Sequence, residues 1–520
     1  MAQRVNDTGV KWGWQERVLE VFSAKAARRR YADRISSNQL RRAYDGASKG
    51  RLKDGWRTSA TSADAEIAAA GSLLRDRMRD LVRNNPLAAQ AVQVLVNNMV
   101  GDGIRPRAKT GDPEADKKIN DLFEKWSKGA DAHGHTDFYG LQALAVREMI
   151  EGGDLFGMKR PRKAVKDLPI RLQVELFEAD HLDDSRQDYR NDDTRIDQGI
   201  EYDRNGRRAA YWMFPDHPGG NTSAFRRKFE SVRIPADRVA HLFERQRVQS
   251  RGVPWGVPAM TAMRDLDDWR LAEMVRKKTE ACLVAVVLSH DPTDPGVNVE
   301  PGVYDSEGQL QEKFSPGMIA NANGKDIKFN SPAHTGGIRE WNVVQGQAIA
   351  AGWRVPYALV SSDFSQANFS SNRAGLNEFR RMVTEIQWHV IIPMFCQRIW
   401  DWFCEAAWTA GLIPSASIPV EWAPPKFESV NPWQDAQTDL LETRAGFSSL
   451  AQQIGKRGWD MRTVLEEYSE TNEIVDGLGL VLDSDPRKVT RQGMFQSEPQ
   501  DGSTDTEGDG PPDPKSNPED

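Results

Sequence analysis

Between positions 373 and 408 apolar residues recur at steps of three and four. Leu376, Phe379, Met382, Val383, Ile386, Val390, Met394, Phe395, Ile399, Trp402 and Phe403 share one stripe, the spacing of an amphipathic helix. Asn372 or Ser371 suits its N-cap, and Pro393, which lacks a backbone donor, predicts a kink within it. At 1.5 Å per residue the helix would run about 55 Å. Trp388, Trp400 and Trp402 call for an extensive partner surface, which a neighbouring copy of the chain can supply. The stretch before it, 356–372, reads as a loop. It holds Ser361, Ser362, Asp363, Phe364, Ser365, Gln366, Asn368, Phe369, Ser370, Ser371 and Asn372, with one acid and no base.

Upstream, Ser72–Met99 is amphipathic, but Asn84-Asn85-Pro86 divides it into two helices, because proline excludes its predecessor from helical geometry and suits a first helical turn. Lys117–Trp126 and Phe138–Glu151 are helical, and Gly152-Gly153 stops the second. Strands are predicted at Ile170–Phe177, on either side of Asn205-Gly206, and at Arg238–Phe243. Pro258–Thr279 is another helix, so a small β-rich module sits between 138–151 and 258–279 like a tip on a two-helix stalk. Strands return at Leu283–Leu288, near Met318–Ile319, at Ile327–Phe329 and at Val420–Trp422. Helices at Trp433–Ile454 and Asp460–Ser469 come next. Residues 484–520 hold almost no apolar side chains, a composition expected to stay disordered.

Charge changes this picture only once it is located. The net charge is −7 over 520 residues. Residues 498–520 carry eight acids and one lysine, which accounts for all of it. The rest of the chain is balanced, unlike a protein that grips nucleic acid by neutralising phosphates. The first 60 residues are the exception: Lys25 to Arg57 holds eleven bases against three acids, an arm for a capsid surface or DNA, or simply a partly ordered one. Cys282, Cys396 and Cys404 lie in apolar contexts, against a disulfide framework or zinc site and in favour of a reducing compartment. No apolar signal segment and no membrane-length run is expected.

Candidate chemistry is sparse. Neither a phosphate-binding Gly-x-x-x-x-Gly-Lys-Ser/Thr run nor a Gly-x-Ser-x-Gly elbow occurs. His133-Gly134-His135 reads as a polar loop rather than a metal site. Asp180, Asp183 and Asp184 form the best acidic cluster. They read as a solvated loop, the alternative being a metal-dependent DNA-processing enzyme. Trp408, Trp422 and Trp433 read as packing or interface anchors rather than base-stacking platforms.

Taken together, several runs resemble the lambda-type portal proteins of tailed phages. They are Arg41–Ala47, Leu74–Pro86 with its Arg83-Asn84-Asn85-Pro86, Val100–Ile104, Leu141–Arg147 before Gly153-Asp154, Ser362–Arg373, Trp422 with Pro424, Val430–Trp433, and Arg444–Gly446. The resemblance covers roughly residues 40–485. It implies an α+β portal fold with a mainly helical wing and crown, a two-helix stem, a small β-containing clip and a ring oligomer. On that reading 1–40 is a basic arm, 41–137 and 282–355 the wing, 138–154 and 251–281 stem helices and 155–250 the clip. The tunnel loop is 356–372, the long wing helix 373–415, the crown 416–483 and the acidic tail 484–520.

The resemblance further implies a non-enzymatic virion protein, without cofactor, metal or membrane partner. It would form a homo-oligomeric ring, usually dodecameric, at one capsid vertex, assembled in the host cytoplasm. Its partners would be the terminase large subunit, head–tail adaptors, major capsid and scaffold proteins, and double-stranded DNA passing without sequence specificity. In the channel, Ser361, Ser362, Asp363, Ser365, Gln366, Asn368 and Asn372 would offer weak, exchangeable contacts, while Phe364 and Phe369 anchor the loop. A capsid or scaffold interaction protein without a channel is the third reading.

Overall fold

A computed structural model describes residues 60–163, 168–189, 194–220, 230–282, 285–287, 319–321, 337–365, 369–425, 427, 432–457, 461–482 and 487. The chain divides into two units, Met1–Glu66 and Ile67–Asp520, and the second holds nearly all of the described residues. The basic arm, the predicted strand Ile327–Phe329 and nearly all of the acidic tail lie outside the described residues.

The first helices are α1 (Ala63–Asn84) and α2 (Pro86–Met99). They part where the sequence predicts. The Asn85 side chain accepts from the amides of Leu87 and Ala88, and Pro86 occupies the first turn. The Asn85 amide also reaches Asp267 Oδ2 at 2.6 Å, so the break doubles as a tether to a distant helix. Strand β1 (Arg105–Ala108), helix α3 (Pro113–Ser127) and helix α4 (Phe138–Gly152) come after it.

Next are β2 (Asp154–Pro161), β3 (Leu172–Glu178) and the short strands β4 (Asp188–Tyr189), β5 (Arg195–Asp197), β6 (Ile200–Tyr202), β7 (Arg208–Met213), β8 (Val232–Pro235) and β9 (Val239–Phe243). They form two antiparallel sheets, β3-β2-β9 and β4-β5-β6-β7-β8. The Asn205-Gly206 turn joins β6 to β7, with Gly206 at φ +71° and its amide on the Asp203 carbonyl. The central strand β2 is missed by alternation. Its Asp154–Met158 run is buried on both faces, so it carries no period-two signal.

Helix α5 (Met260–Cys282) leads to a parallel pair, β10 (Ala285–Val287) and β11 (Ile319–Asn321), then to α6 (Ile338–Gly352) and the short α7 (Tyr357–Ser361). Phe138, Leu141, Ala145, Val146, Met149 and Ile150 make α4 a core helix. Helix α5 packs on α6: Trp269 meets Trp341 at 6.3 Å between ring centroids, and Arg270 Nε donates to Asn342 Oδ1 at 3.0 Å. Helix α4 offers a broad apolar stripe to a crowded core. Helix α5 is polar on several sides and presents Leu271, Met274 and Val275 to solvent.

The long helix begins at Phe369, not Arg373, so Ser371 and Asn372 lie inside its first turns rather than capping it. It comprises α8 (Phe369–Ile386), a π-helical stretch Gln387–Cys396 and α9 (Gln397–Thr409). Pro393 sits within the π stretch, where wider turns take up its missing donor. There the Gln387 amide donates to Met99 O at 2.8 Å in the core. Phe123, Trp126, Phe138, Trp400 and Phe403 form one aromatic cluster, with centroids 5.0–6.0 Å apart. Each such burial contributes on the order of 2 kcal/mol.

Strand β12 (Val420–Ala423) pairs with β1. The predicted helix Trp433–Ile454 is two, α10 (Pro432–Arg444) and α11 (Leu450–Lys456), parted at Gly446, which sits at φ +76°. Helix α12 (Met461–Gly477) is the last.

Candidate functional site

The predicted loop starts from a corner between α6 and α7. A Cβ on Gly346 would lie 2.5 Å from the Tyr357 ring, so only glycine lets that ring close onto α6. Trp353 is fully buried and its indole N–H points at Met263 Sδ, 3.3 Å away. Pro356 caps α7, Val360 is buried, and the Gln90 amide donates to Leu359 O at 3.2 Å. The corner is therefore seated on the core, and the segment beyond it leaves from a fixed platform.

The segment is knit to itself. Ser361 Oγ donates to Tyr357 O at 2.9 Å and accepts from the Asp363 amide at 3.2 Å. Ser362 closes α7 in the left-handed region at φ +57°. Asp363 Oδ1 accepts from the Ser365 amide at 2.9 Å, and Arg339 Nη2 donates to Ser365 Oγ at 3.4 Å. The Ser365 hydroxyl and amide hold the Asp363 carboxyl below the usual carboxylate range. Ser362, Phe364 and Ser365 are exposed, Phe364 over 52% of its surface. Gln366 and Asn368 lie outside the described residues, and Phe369 and Asn372 belong to the α8 backbone. The described surface offers hydroxyls, an engaged carboxylate and one phenyl ring. It is suited to weak, exchangeable polar contact.

The acidic cluster is otherwise engaged. Asp180 accepts from Arg75 Nε at 3.3 Å and from Arg79 Nη1. Burial pushes its carboxyl up, but the two guanidiniums outweigh that and lower it. Arg79 also pairs with Glu148 at 2.7 Å and Glu178 at 3.0 Å. Asp183 is taken by the hydroxyls of Ser185 and Ser231, both at 2.6 Å, and Asp184 is exposed, with Arg75 at 4.0 Å. Glu178, Asp180 and His217 do converge within 4.8 Å. Arg79 already neutralises both of those acids, so the set reads as an arginine-bridged joint between α1 and the sheet. The His133 and His135 amides both donate to the Asp131 carboxylate, as a polar loop requires.

Sequence reasoning missed a buried polar network. Asp154 binds His241 Nε2 at 3.0 Å, Arg251 Nε at 2.7 Å and the Gly252 amide at 2.6 Å. On the far side of the imidazole, His241 Nδ1 faces Arg208 Nη1 at 2.7 Å, and Arg208 Nη2 donates to Ser250 O at 2.8 Å. Burial pushes His241 down to about 4, while Arg251, His241 and the Gly252 amide hold Asp154 low against its desolvation. Gly153 sits at φ +88° and touches the Gly252–Val253 backbone. The Gly152-Gly153-Asp154 run after a helix was the one signal available. The network clasps β2, β9 and the 249–253 turn together.

Three comparisons bear on the whole chain. A family model described as phage portal protein, lambda family, matches residues 49–387. A probable portal protein of Halomonas phage phiHAP-1 is 24% identical over 470 residues, spanning 85% of this chain and 88% of the relative. A portal protein of Escherichia phage N15 is 23% identical over 474 residues, 80% of this chain and 87% of the relative. Among solved structures, the neck of a native GTA particle computed with C12 symmetry is similar at 14% identity and a TM-score of 0.39, covering 74% of this chain and 93% of that one.

Proposed function

The chain belongs to the lambda family of phage portal proteins, and from that premise we propose that copies of it close into a ring that conducts DNA through one vertex of the capsid. As a member of that family it is a connector component of the virion. The finer roles are our reading: packaging and ejection through the ring, docking of the terminase large subunit and later of head–tail adaptors, and nucleation of shell assembly with capsid and scaffold proteins.

One observation carries the ring. A single chain leaves a large apolar surface in water. Leu271, Met274 and Val275 on α5 and Trp341 and Val344 on α6 are exposed. So are Trp433, Leu441, Phe447, Tyr468 and Ile474 in and around α10–α12, with Phe447 at 85%. No residue of α10 is buried. Among the described residues these large apolar side chains gather on a few helices, where exposed apolar surface often marks an interaction site, and neighbouring copies can cover them.

In the ring, the α5–α6 hairpin is the stem. An open groove of about 540 Å³ runs between its helices. On this reading the stem is 260–282 with 338–352 rather than 138–154 with 251–281. The segment 361–365 with its continuation to α8 lines the channel. Its hydroxyls suit a passage because each lysine–phosphate contact would add a counterion-release term favouring arrest. Light scattering of the purified protein tests the ring. The account expects a large oligomer whose mass falls when Phe447→Ser is introduced, while the chain keeps its melting temperature. A monomer at every concentration would overturn it.

A further inference from the structure

Helices α9, α10 and α12 end in one kind of turn. Its left-handed residue is Gly411, Gly446 or Gly479, at φ +71°, +76° and +65°. In each, the glycine amide and the one after it fold back onto carbonyls of the last turn. Gly411 reaches Trp408 O at 2.9 Å, and Leu412 reaches Ala407 O at 3.0 Å. Helix α6 ends identically, with the Arg354 amide on Ala351 O at 3.0 Å and the Val355 amide on Ala350 O at 3.1 Å. Its left-handed residue, however, is Arg354, at φ +59°. Glycine takes this conformation freely, and a residue with a Cβ does not.

The side chain supplies the reason. Arg354 Nη1 lies 2.6 Å from Glu244 Oε1, and the guanidinium stands 4.8 Å from the centroid of the buried Trp255 ring. Glu244 directly follows β9, and the Trp255 amide is tied to Ile150 O at the end of α4. Glu244 is mostly buried and the Trp255 ring is buried, and such desolvation strengthens both charge-assisted pairing and a cation over an aromatic face. They fasten the corner after α6 to the sheet and to the core helix at once. A glycine would make the same turn with less strain and fasten nothing.

We propose that Arg354 is a positioning residue, a clamp that holds the α6–α7 corner and thereby sets where segment 361–365 stands. Its functional meaning rests on the reading that this segment lines the channel; the clamp itself does not.

The test uses the full chain with Arg354→Gly, Arg354→Lys and Glu244→Gln, followed by amide hydrogen exchange on peptides covering 356–365. Exchange there should rise roughly tenfold in Arg354→Gly and Glu244→Gln, with α2 and α8 unaltered and Arg354→Lys closer to the parent. Unchanged exchange at 356–365 overturns the proposal, as does a uniform rise across α2 and α8. Glu244→Gln leaves the strained backbone untouched, so it carries the test if an Arg354 variant fails to fold. A packaging assay then separates the two claims. Faster local exchange with slower packaging supports both, whereas faster local exchange with normal packaging upholds the clamp and removes the channel reading.

Discussion

The carboxylate of Asp154 and the guanidinium of Arg251 meet inside the protein, 2.7 Å apart, with neither side chain more than 2% exposed. A pair so placed contributes little by existing and costs much when halved. Replacing Arg251 with methionine keeps volume but strands a buried charge. The expected loss is about 3–5 kcal/mol, read as a lower midpoint in urea unfolding. A loss near zero would mean that the His241 and Gly252 donors alone satisfy Asp154.

The same network sets a pH dependence. His241 titrates in the folded chain at about 4, below its ordinary 6.5. Between those values the unfolded chain binds the extra proton, so stability is full above 6.5 and falls as the pH drops toward 4. Asp154, whose folded value is also depressed, extends the loss below the ordinary carboxylate range. Glu148, whose carboxyl burial pushes up to about 7, acts in the opposite direction over the same window. The His241 contribution is therefore read as a difference: between pH 7 and pH 4.5, His241→Gln should lose less melting temperature than the parent. An equally steep slope in the variant would assign the acid sensitivity elsewhere.

Asn85 does two jobs, capping α2 and tethering Asp267. Asn85→Ala should cost about 1–2 kcal/mol. Asn85→Asp keeps the cap acceptor but sets a carboxylate against Asp267, and should recover less than a cap alone predicts. Thermal unfolding of the two variants distinguishes the roles.

The features legible in the sequence are those set by local chemistry. Asn85-Pro86 and Asn205-Gly206 act within a few residues of themselves, so the helix break and the hairpin were readable. Strand β2 was not, because burial on both faces erases alternation. Helix partners are hidden for a related reason. The pattern of α4 gives an apolar stripe but not its partner, and tertiary contacts, Trp269 on Trp341 and Arg270 on Asn342, are what show that α5 packs on α6. The start of α8 was hidden because Ser370, Ser371 and Asn372 favour caps as readily as first turns. The arginine in a glycine's place at 354 has no local signature. Its partner Glu244 lies 110 residues away.

Lysines placed in the segment proposed to line the channel should act as brakes. Gln366→Lys with Asn368→Lys is expected to slow packaging, and the slowing should diminish as salt rises, since the added phosphate contacts are ionic. Unchanged packaging rates at low salt would count against that segment lying beside DNA.

A cryo-electron microscopy reconstruction of the purified protein addresses the ring and its lining together. The account predicts a closed annulus of identical copies, with residues 361–368 nearest the axis at the narrowest point and α10–α12 buried between neighbours. Isolated chains, or an annulus whose axis is lined elsewhere while 361–368 faces outward, would contradict it.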